Sequence, residues 1–182
     1  MPRISPANPE NATGKSKALF DAIKAKLGVV PNMMKTMAID PAVLEAYLGF
    51  SGQLGHGELP PKIREQIALL SAQSTGCDYC LSAHTYLGKA AGLGPSDINA
   101  ARRAESSDPR AAAALTLANR LLKTQGAITD ADFRAARDAG LTDGQISEVI
   151  AHVALNLFTN YFNKAIQPDI DFPKVSPSQQ VS

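Results

Sequence analysis

Proline at the start and glycine at the stop of successive apolar segments is the feature that most restricts this sequence, because helices need that asymmetry and strands do not. Proline suits a first helical turn, where its missing N–H would have no partner, and glycine accepts the left-handed backbone that closes a helix. Residues 15–27 place Leu19, Phe20, Ile23 and Leu27 at helical spacing, and Gly28 follows. Pro31 opens a short segment to Met37, Pro41 opens one to about Leu54, and Pro60-Pro61 opens one to about Ser74. In the last of these Ile63, Ile67 and Leu70 form one apolar stripe, which Thr75-Gly76 breaks. A further helix is predicted from Cys77 to just before Gly92, with both cysteines in its first turn. Alternating β-branched runs are too few to supply a sheet, so the expected fold class is all-α and multi-helical.

The second half follows the same grammar. Ser96 is placed to cap a short helix, Asp108-Pro109 to start a long alanine-rich one ending near Thr124, and Thr129 to cap one that stops at Gly140. Thr142 and Gln145 fit a capping box for a last helix carrying Ile146, Val149, Ile150, Val153, Leu157 and Phe158. Pro168, Pro173 and Pro177 with the terminal Ser and Gln residues predict an extended or disordered tail over 168–182. Residues 1–14 read as a flexible arm, which leaves 15–167 as one helical domain. A shift of 83 residues aligns Ile63, Glu65, Ile67 and Ala68 with Ile146, Glu148, Ile150 and Ala151, and sets Cys77 on Asn160 and Cys80 on Asn163. That similarity fits a duplicated unit or two amphipathic helices of like design.

Charge and length then exclude several classes of function. The 182 residues suffice for a buried core, and 18 basic against 17 acidic side chains leave a formal charge of +1. This gives no bulk attraction to nucleic acid or to an anionic membrane. No apolar run approaches the roughly 18 residues of a membrane span, and Met1-Pro2-Arg3 begins no apolar signal segment. A cytoplasmic protein without nucleic-acid or membrane partners is expected. The only two cysteines, Cys77 and Cys80, exclude a secreted disulfide framework, yet their C-x-x-C spacing asks for a chemical reason.

On a helix, positions three and four apart share a face, which sets Cys77, Cys80 and His84 along one stripe. The helix N-terminus favours an anion and lowers a thiol pKa, while a histidine one turn on can relay its proton. If the two helices pack as a hairpin across Thr75-Gly76, the Glu65 carboxylate reaches the face of Cys80 and His84. Three readings follow: a redox dithiol, a zinc site of Cys77, Cys80, His84 and Glu65, and a pair of buried small hydrophobes beside a core histidine. A second C-x-x-C or a paired histidine to complete a zinc tetrahedron is missing, which favours the dithiol. The absence of a βαβ pattern sets it apart from thioredoxin.

Glu65, eleven residues, Cys77-x-x-Cys80, three residues and His84 together resemble the E-x11-C-x-x-C-x3-H signature of the AhpD-like alkyl hydroperoxidases, within the carboxymuconolactone decarboxylase superfamily. Val30-Pro31-Asn32, Met37-Ala38 through Pro41, Cys77 through His84, Ala91-Gly92-Leu93 and Gly140-Leu141 are similar to its peroxidase-related subgroup, over roughly residues 15–172. The resemblance implies an all-α homotrimer or hexamer that reduces organic hydroperoxides without a cofactor and draws electrons from a dithiol donor such as a lipoyl protein. By it, Cys80 is the peroxidatic thiol, Cys77 the resolving thiol, and His84 with Glu65 the proton relay. The helix dipole alone would make Cys77 at least as acidic; His84 favours Cys80. Where the best-studied branch carries a second histidine, this chain has Tyr79, a phenol that packs and hydrogen-bonds but does not shuttle protons near neutrality. A redox-sensing or structural oligomer with a slow dithiol is therefore the alternative, and lactone decarboxylation is disfavoured by the thiol pair itself.

The remaining candidates read as scaffold. His152 lies within the apolar last helix and His56 between two glycines. Met33, Met34, Met37, Tyr47 and Phe50 read as core or interface. Leu155 and Phe158 exceed one apolar face, consistent with a homo-oligomer. Asn156, Asn160 and Asn163 recur on one helical face and either bond across a subunit contact or border the thiol pocket.

Overall fold

Residues 2–177 are described by the computed structural model, and among them the chain forms nine helices and no strand. They are α1 (Gly14–Leu27), α2 (Asn32–Met37), α3 (Pro41–Leu54), α4 (Pro61–Thr75), α5 (Asp78–Ala90), α6 (Pro95–Arg102), α7 (Pro109–Thr124), α8 (Asp130–Asp138) and α9 (Asp143–Ile166). The proline starts fall where the sequence sets them: Asp40 caps α3 through Ala42 N–H, and Asp108 caps α7 through Ala111 N–H. Thr142 and Gln145 form the expected reciprocal cap of α9, at 3.1 and 3.3 Å. One cap differs. Helix α6 starts at Pro95, so Ser96 lies inside it, and the Asp97 carboxylate accepts the Gly94 N–H at 3.0 Å. Proline at the first position fixes the start two residues ahead of where a serine cap would place it.

Helix α4 is the axis of the fold, packed against α5, α6, α7 and α9. It buries Ile63, Ile67 and Leu70 as predicted, but also Gln66, Ala68, Leu69, Ser71 and Ala72, so its burial runs around the helix and is not confined to one stripe. The two polar members are satisfied: Ser71 donates to the Ile67 carbonyl at 2.8 Å, and the Gln66 amide reaches Ser106 Oγ at 3.5 Å. Burying four apolar side chains of this size contributes roughly 1.5–3 kcal/mol each, which makes α4 the element every neighbour depends on.

Gly76 (φ +67°) turns the chain between α4 and α5, a left-handed conformation that a side chain would strain. Lys164 donates to the exposed Thr75 carbonyl at the end of α4, a cation on the negative end of a helix dipole. At the opposite end of α4, Glu148 from α9 accepts the N–H groups of Glu58 and Leu59 at 2.7 and 2.9 Å. Gly57 makes that approach possible, since a Cβ there would stand 2.3 Å from Glu148 Oε1.

The described segments before α1 and after α9 lie on the helices. Arg3 N–H donates to the Ile166 carbonyl at 2.8 Å and its guanidinium to Ala165 at 2.9 Å, closing the C-terminus of α9. After Gln167 the chain runs without regular structure over α5. There Val175 N–H donates to Ser82 Oγ at 3.0 Å, Ser176 Oγ bonds Asp78 at 3.0 Å, and Phe172 packs between Tyr79 and Tyr86.

Candidate active site

The turn at Gly76 decides where the two cysteines point. Cys77 is the residue before α5, with extended backbone (φ −98°, ψ 98°), and its Sγ accepts the Cys80 N–H at 3.2 Å. Cys80 is inside the helix, in its first turn. The predicted stripe of Cys77, Cys80 and His84 is therefore corrected: the three-and-four spacing holds for Cys80 and His84, and Cys77 departs from it because its backbone is not helical. The two sulfurs are joined in a disulfide, and both residues are buried.

Glu65 on α4 and His84 on α5 meet across the hairpin, with Oε2 to Nδ1 at 2.8 Å. A carboxylate only accepts, so Nδ1 carries the hydrogen and Nε2 is left as the acceptor nitrogen. Cys80, Glu65 and His84 line one cavity of about 580 Å³. Its walls are mostly apolar, from α1, α2 and α3 through Leu27, Met33, Met34 and Leu48, with Phe172 of the tail on the far side. Cys77 does not border this space. It borders a separate cavity of about 340 Å³ with Asp78, Lys164, Pro168 and Ile170. Tyr79 and Asn163 line both, so they form the partition.

Asn163 answers the question that the asparagine face of α9 leaves open in the sequence. Its Nδ2 lies 3.3 Å from Cys80 Sγ and 3.2 Å from Met33 Sδ, so it donates at the thiol. Asn160, fully buried, instead accepts from Thr75 at 3.1 Å, and Asn156 donates to the His152 carbonyl at 2.8 Å. Only a periodicity of polar residues on an apolar helix signals Asn163 in the sequence; its partner is 83 residues away. The Thr159 carbonyl is 3.9 Å from the same sulfur, within reach of an S–H once the pair is reduced.

Tyr79 is a fastener. Its hydroxyl donates to Asp171 Oδ1 at 2.8 Å and accepts the Met33 N–H at 3.2 Å, and Asp171 Oδ2 accepts the Asn32 N–H at 2.7 Å. Burial, reinforced by the Asp171 charge, raises the phenol far above its ordinary value, so it holds its proton. Tyr47, which lines the cavity with Glu65, is pushed up to about 12, first by burial and then by the Glu65 charge.

The other histidines separate. His56 is exposed in the turn after α3. His152 is buried on α9, its Nε2 3.4 Å from Glu148 Oε1, and it lines a third cavity of about 290 Å³ that also touches Glu65 and His84. Burial holds its imidazole below the ordinary value, against the opposing pull of Glu148. Met33, Met34 and Met37 are buried, and the first two also wall the Cys80 cavity. Among the described residues, no three His, Cys, Asp or Glu side chains group to hold a metal ion. No helix among them is long and apolar enough to cross a membrane. On α9, Phe158 and Tyr161 are exposed, at 40% and 63%.

Residues 41–124, from α3 to α7 and including all four signature residues, match the carboxymuconolactone decarboxylase family. The chain is similar in structure to an alkylhydroperoxidase AhpD core, a peroxidase-related protein from Ralstonia eutropha JMP134, with a TM-score of 0.84 at 23% identity over 93% of this chain and 92% of that one. The chain has the AhpD-like fold. A second AhpD-like neighbour is a peroxidase-related protein from Silicibacter sp. TM1040, with a TM-score of 0.75 and 22% identity over 100% of this chain and 98% of that one. Alongside them stands the debrominase Bmp8, solved as a cysteine-to-alanine variant in complex with 2,3,4-tribromopyrrole, with a TM-score of 0.78 and 21% identity over 93% of this chain and 91% of that one. No curated protein matches the sequence. Within the AhpD-like fold, the C-x-x-C pair stands at a helix start and the Glu–His pair across the hairpin from it.

Proposed function

We propose that this chain is a dithiol peroxidase that reduces organic hydroperoxides at Cys80. The observation that carries the reading is the Glu65–His84 pair, closed at 2.8 Å in the wall of the same apolar cavity as Cys80. In the reduced protein His84 Nε2 takes the Cys80 proton, and the thiolate is held by Asn163 Nδ2. Cys80 attacks the outer peroxide oxygen, the O–O bond breaks, and the alkoxide leaves with the proton from His84. Cys80 is then a sulfenic acid; Cys77 attacks its sulfur, water leaves, and the disulfide forms. Glu65 stabilises the imidazolium in between. The mostly apolar walls suit an alkyl hydroperoxide better than hydrogen peroxide.

The test is single-turnover consumption of cumene hydroperoxide by the reduced protein, beside Cys80→Ser and Cys77→Ser. Wild type consumes one equivalent and loses two thiols; Cys77→Ser consumes one and stops at the sulfenic acid. Equal, slow reaction of wild type and Cys80→Ser sinks the reading and leaves a slow redox-sensing dithiol. A thiol titration separates these as well: a Cys80 pKa clearly below about 8.5 marks the reactive thiol, and one near it the passive thiol.

The debrominase neighbour supports a second reading of the same cavity. A cavity of about 580 Å³ holds a halogenated aromatic ring, and two thiols supply the two electrons that replace a carbon–bromine bond with carbon–hydrogen, releasing bromide and leaving the disulfide. Bromide release from a bromopyrrole under excess dithiothreitol, with peroxide turnover absent, would favour it.

A further inference from the structure

The two cysteines of the disulfide border different cavities, and we infer that the enzyme has two thiol entrances: substrate reaches Cys80 through the Glu65–His84 cavity, and the electron donor, a dithiol, reaches Cys77 through the cavity of Asp78, Lys164, Pro168 and Ile170. The inference rests on the dithiol reading of the pair but not on which oxidant closes it. Thiol–disulfide exchange runs through a near-linear row of three sulfurs, so the cavity from which the donor arrives decides which sulfur it strikes. From the Lys164 side that sulfur is Cys77, and Cys80 is the one expelled.

The chemistry of the two sides agrees with this direction. The attacking species is a thiolate, and Lys164 places a cation over the α4–α5 turn, beside Gly76 and bonded to Thr75 O. Cys80 leaves toward Asn163 Nδ2, which is already 3.3 Å from its sulfur, and into the cavity that holds the His84 imidazole. A stabilised leaving thiolate departs faster. Asn163, 4% exposed, keeps its Oδ1 without a hydrogen-bond partner, and as part of the partition it offers an acceptor to the second, still protonated thiol of an incoming dithiol. The partition of Tyr79 and Asn163, with the tail fastened at Asp171, keeps the donor out of the substrate cavity.

The electrons balance in two exchanges. The donor thiolate bonds to Cys77 Sγ, the Cys77–Cys80 bond breaks, and Cys80 leaves with the electron pair. The donor's second thiol then gives up its proton and attacks the donor sulfur of the mixed disulfide. Cys77 is released as a thiolate and takes a proton, and the donor departs as its own cyclic disulfide.

The oxidised wild-type protein provides the test, with no peroxide present. It is exposed briefly to 2-mercaptoethanol, quenched in acid, alkylated with N-ethylmaleimide and mapped by tandem mass spectrometry of the tryptic peptide 65–89. The mercaptoethanol adduct is expected on Cys77 and the alkyl group on Cys80, at least fivefold over the reverse. An adduct on Cys80 in equal or greater amount overturns the inference. As a second measurement, Lys164→Glu slows reduction of the disulfide by dithiothreitol roughly fivefold, the size of a two-charge reversal acting across several ångströms at a solvent-open mouth; an unchanged rate counts against this entrance. A chain inert to peroxide that still shows the Cys77 adduct keeps the donor entrance and loses only the peroxidase reading.

Discussion

Replacing Glu65 by glutamine keeps the shape of the Glu65–His84 contact and removes its charge, which isolates what the carboxylate does for the chemistry. The pair is closed at 2.8 Å, and both side chains are 21% exposed. Opposite charges about 4 Å apart between centres, at an effective dielectric of about 20, attract by roughly 4 kcal/mol. Partial exposure screens that attraction, and a value of about 2 kcal/mol is the working figure. In the proposed reaction an imidazolium forms as His84 takes the Cys80 proton, so the loss falls on the reacting state and slows the peroxide step about thirtyfold. The chain has no tryptophan, so the assay counts thiols after acid quench of a single turnover with cumene hydroperoxide. A thermal melt of Glu65→Gln near that of wild type shows that the contact survives. The double variant Glu65→Gln/His84→Gln should be no slower than His84→Gln alone, because the two act as a unit. A Glu65→Gln rate within threefold of wild type would refute the relay, as would strictly additive losses in the double variant.

Three further outcomes follow from the same geometry. Tyr79→Phe strands the buried Met33 N–H and releases Asp171, at a cost of about 2 kcal/mol, so thermal denaturation should shift down by roughly 4–8 °C; an unchanged melt would mean the tail is not fastened there. Asn163→Ala, in a Cys77→Ser background, removes the N–H facing Cys80 and should raise the thiol pKa by roughly one unit, read from thiolate absorbance. His152 is held below its ordinary value by burial, facing Glu148 on α9 with Arg64 and Glu65 nearby. The unfolded chain takes up a proton below about pH 6.5 that the native imidazole resists. Its contribution is therefore whole above that pH and is lost as pH falls through the lower folded value. The melting temperature should drop more steeply from pH 7.5 to 5 in wild type than in His152→Gln, and parallel slopes would contradict this.

Helix starts were legible because they are set by chemistry within four residues: a proline that cannot donate, an aspartate or threonine that accepts a free N–H. Where that reading slipped, at Ser96, two local candidates competed and the proline prevailed. Burial was less legible. The stripe on α4 appears in the sequence as Ile63, Ile67 and Leu70, but its other faces bury Ala68, Leu69 and Ala72, and nothing within the segment records that four helices surround it. Tyr79 shows the same limit, since a phenol between two cysteines is understood only once Asp171, 92 residues on, is seen to hold it.

The sequence by itself determined the helices of the described residues and the hairpin across Thr75-Gly76, because each rests on local backbone preference, and it singled out Glu65, Cys77, Cys80 and His84 as candidates by their spacing. Tertiary structure alone decided that Asn163 donates to Cys80, that the tail forms a wall, and that the two cysteines border separate cavities. The physical reason is the single residue Cys77. Its backbone is extended while that of Cys80 is helical, so a spacing that counts as one face on a helix becomes two sides of a partition built by Tyr79 between them and Asn163 of the distant α9.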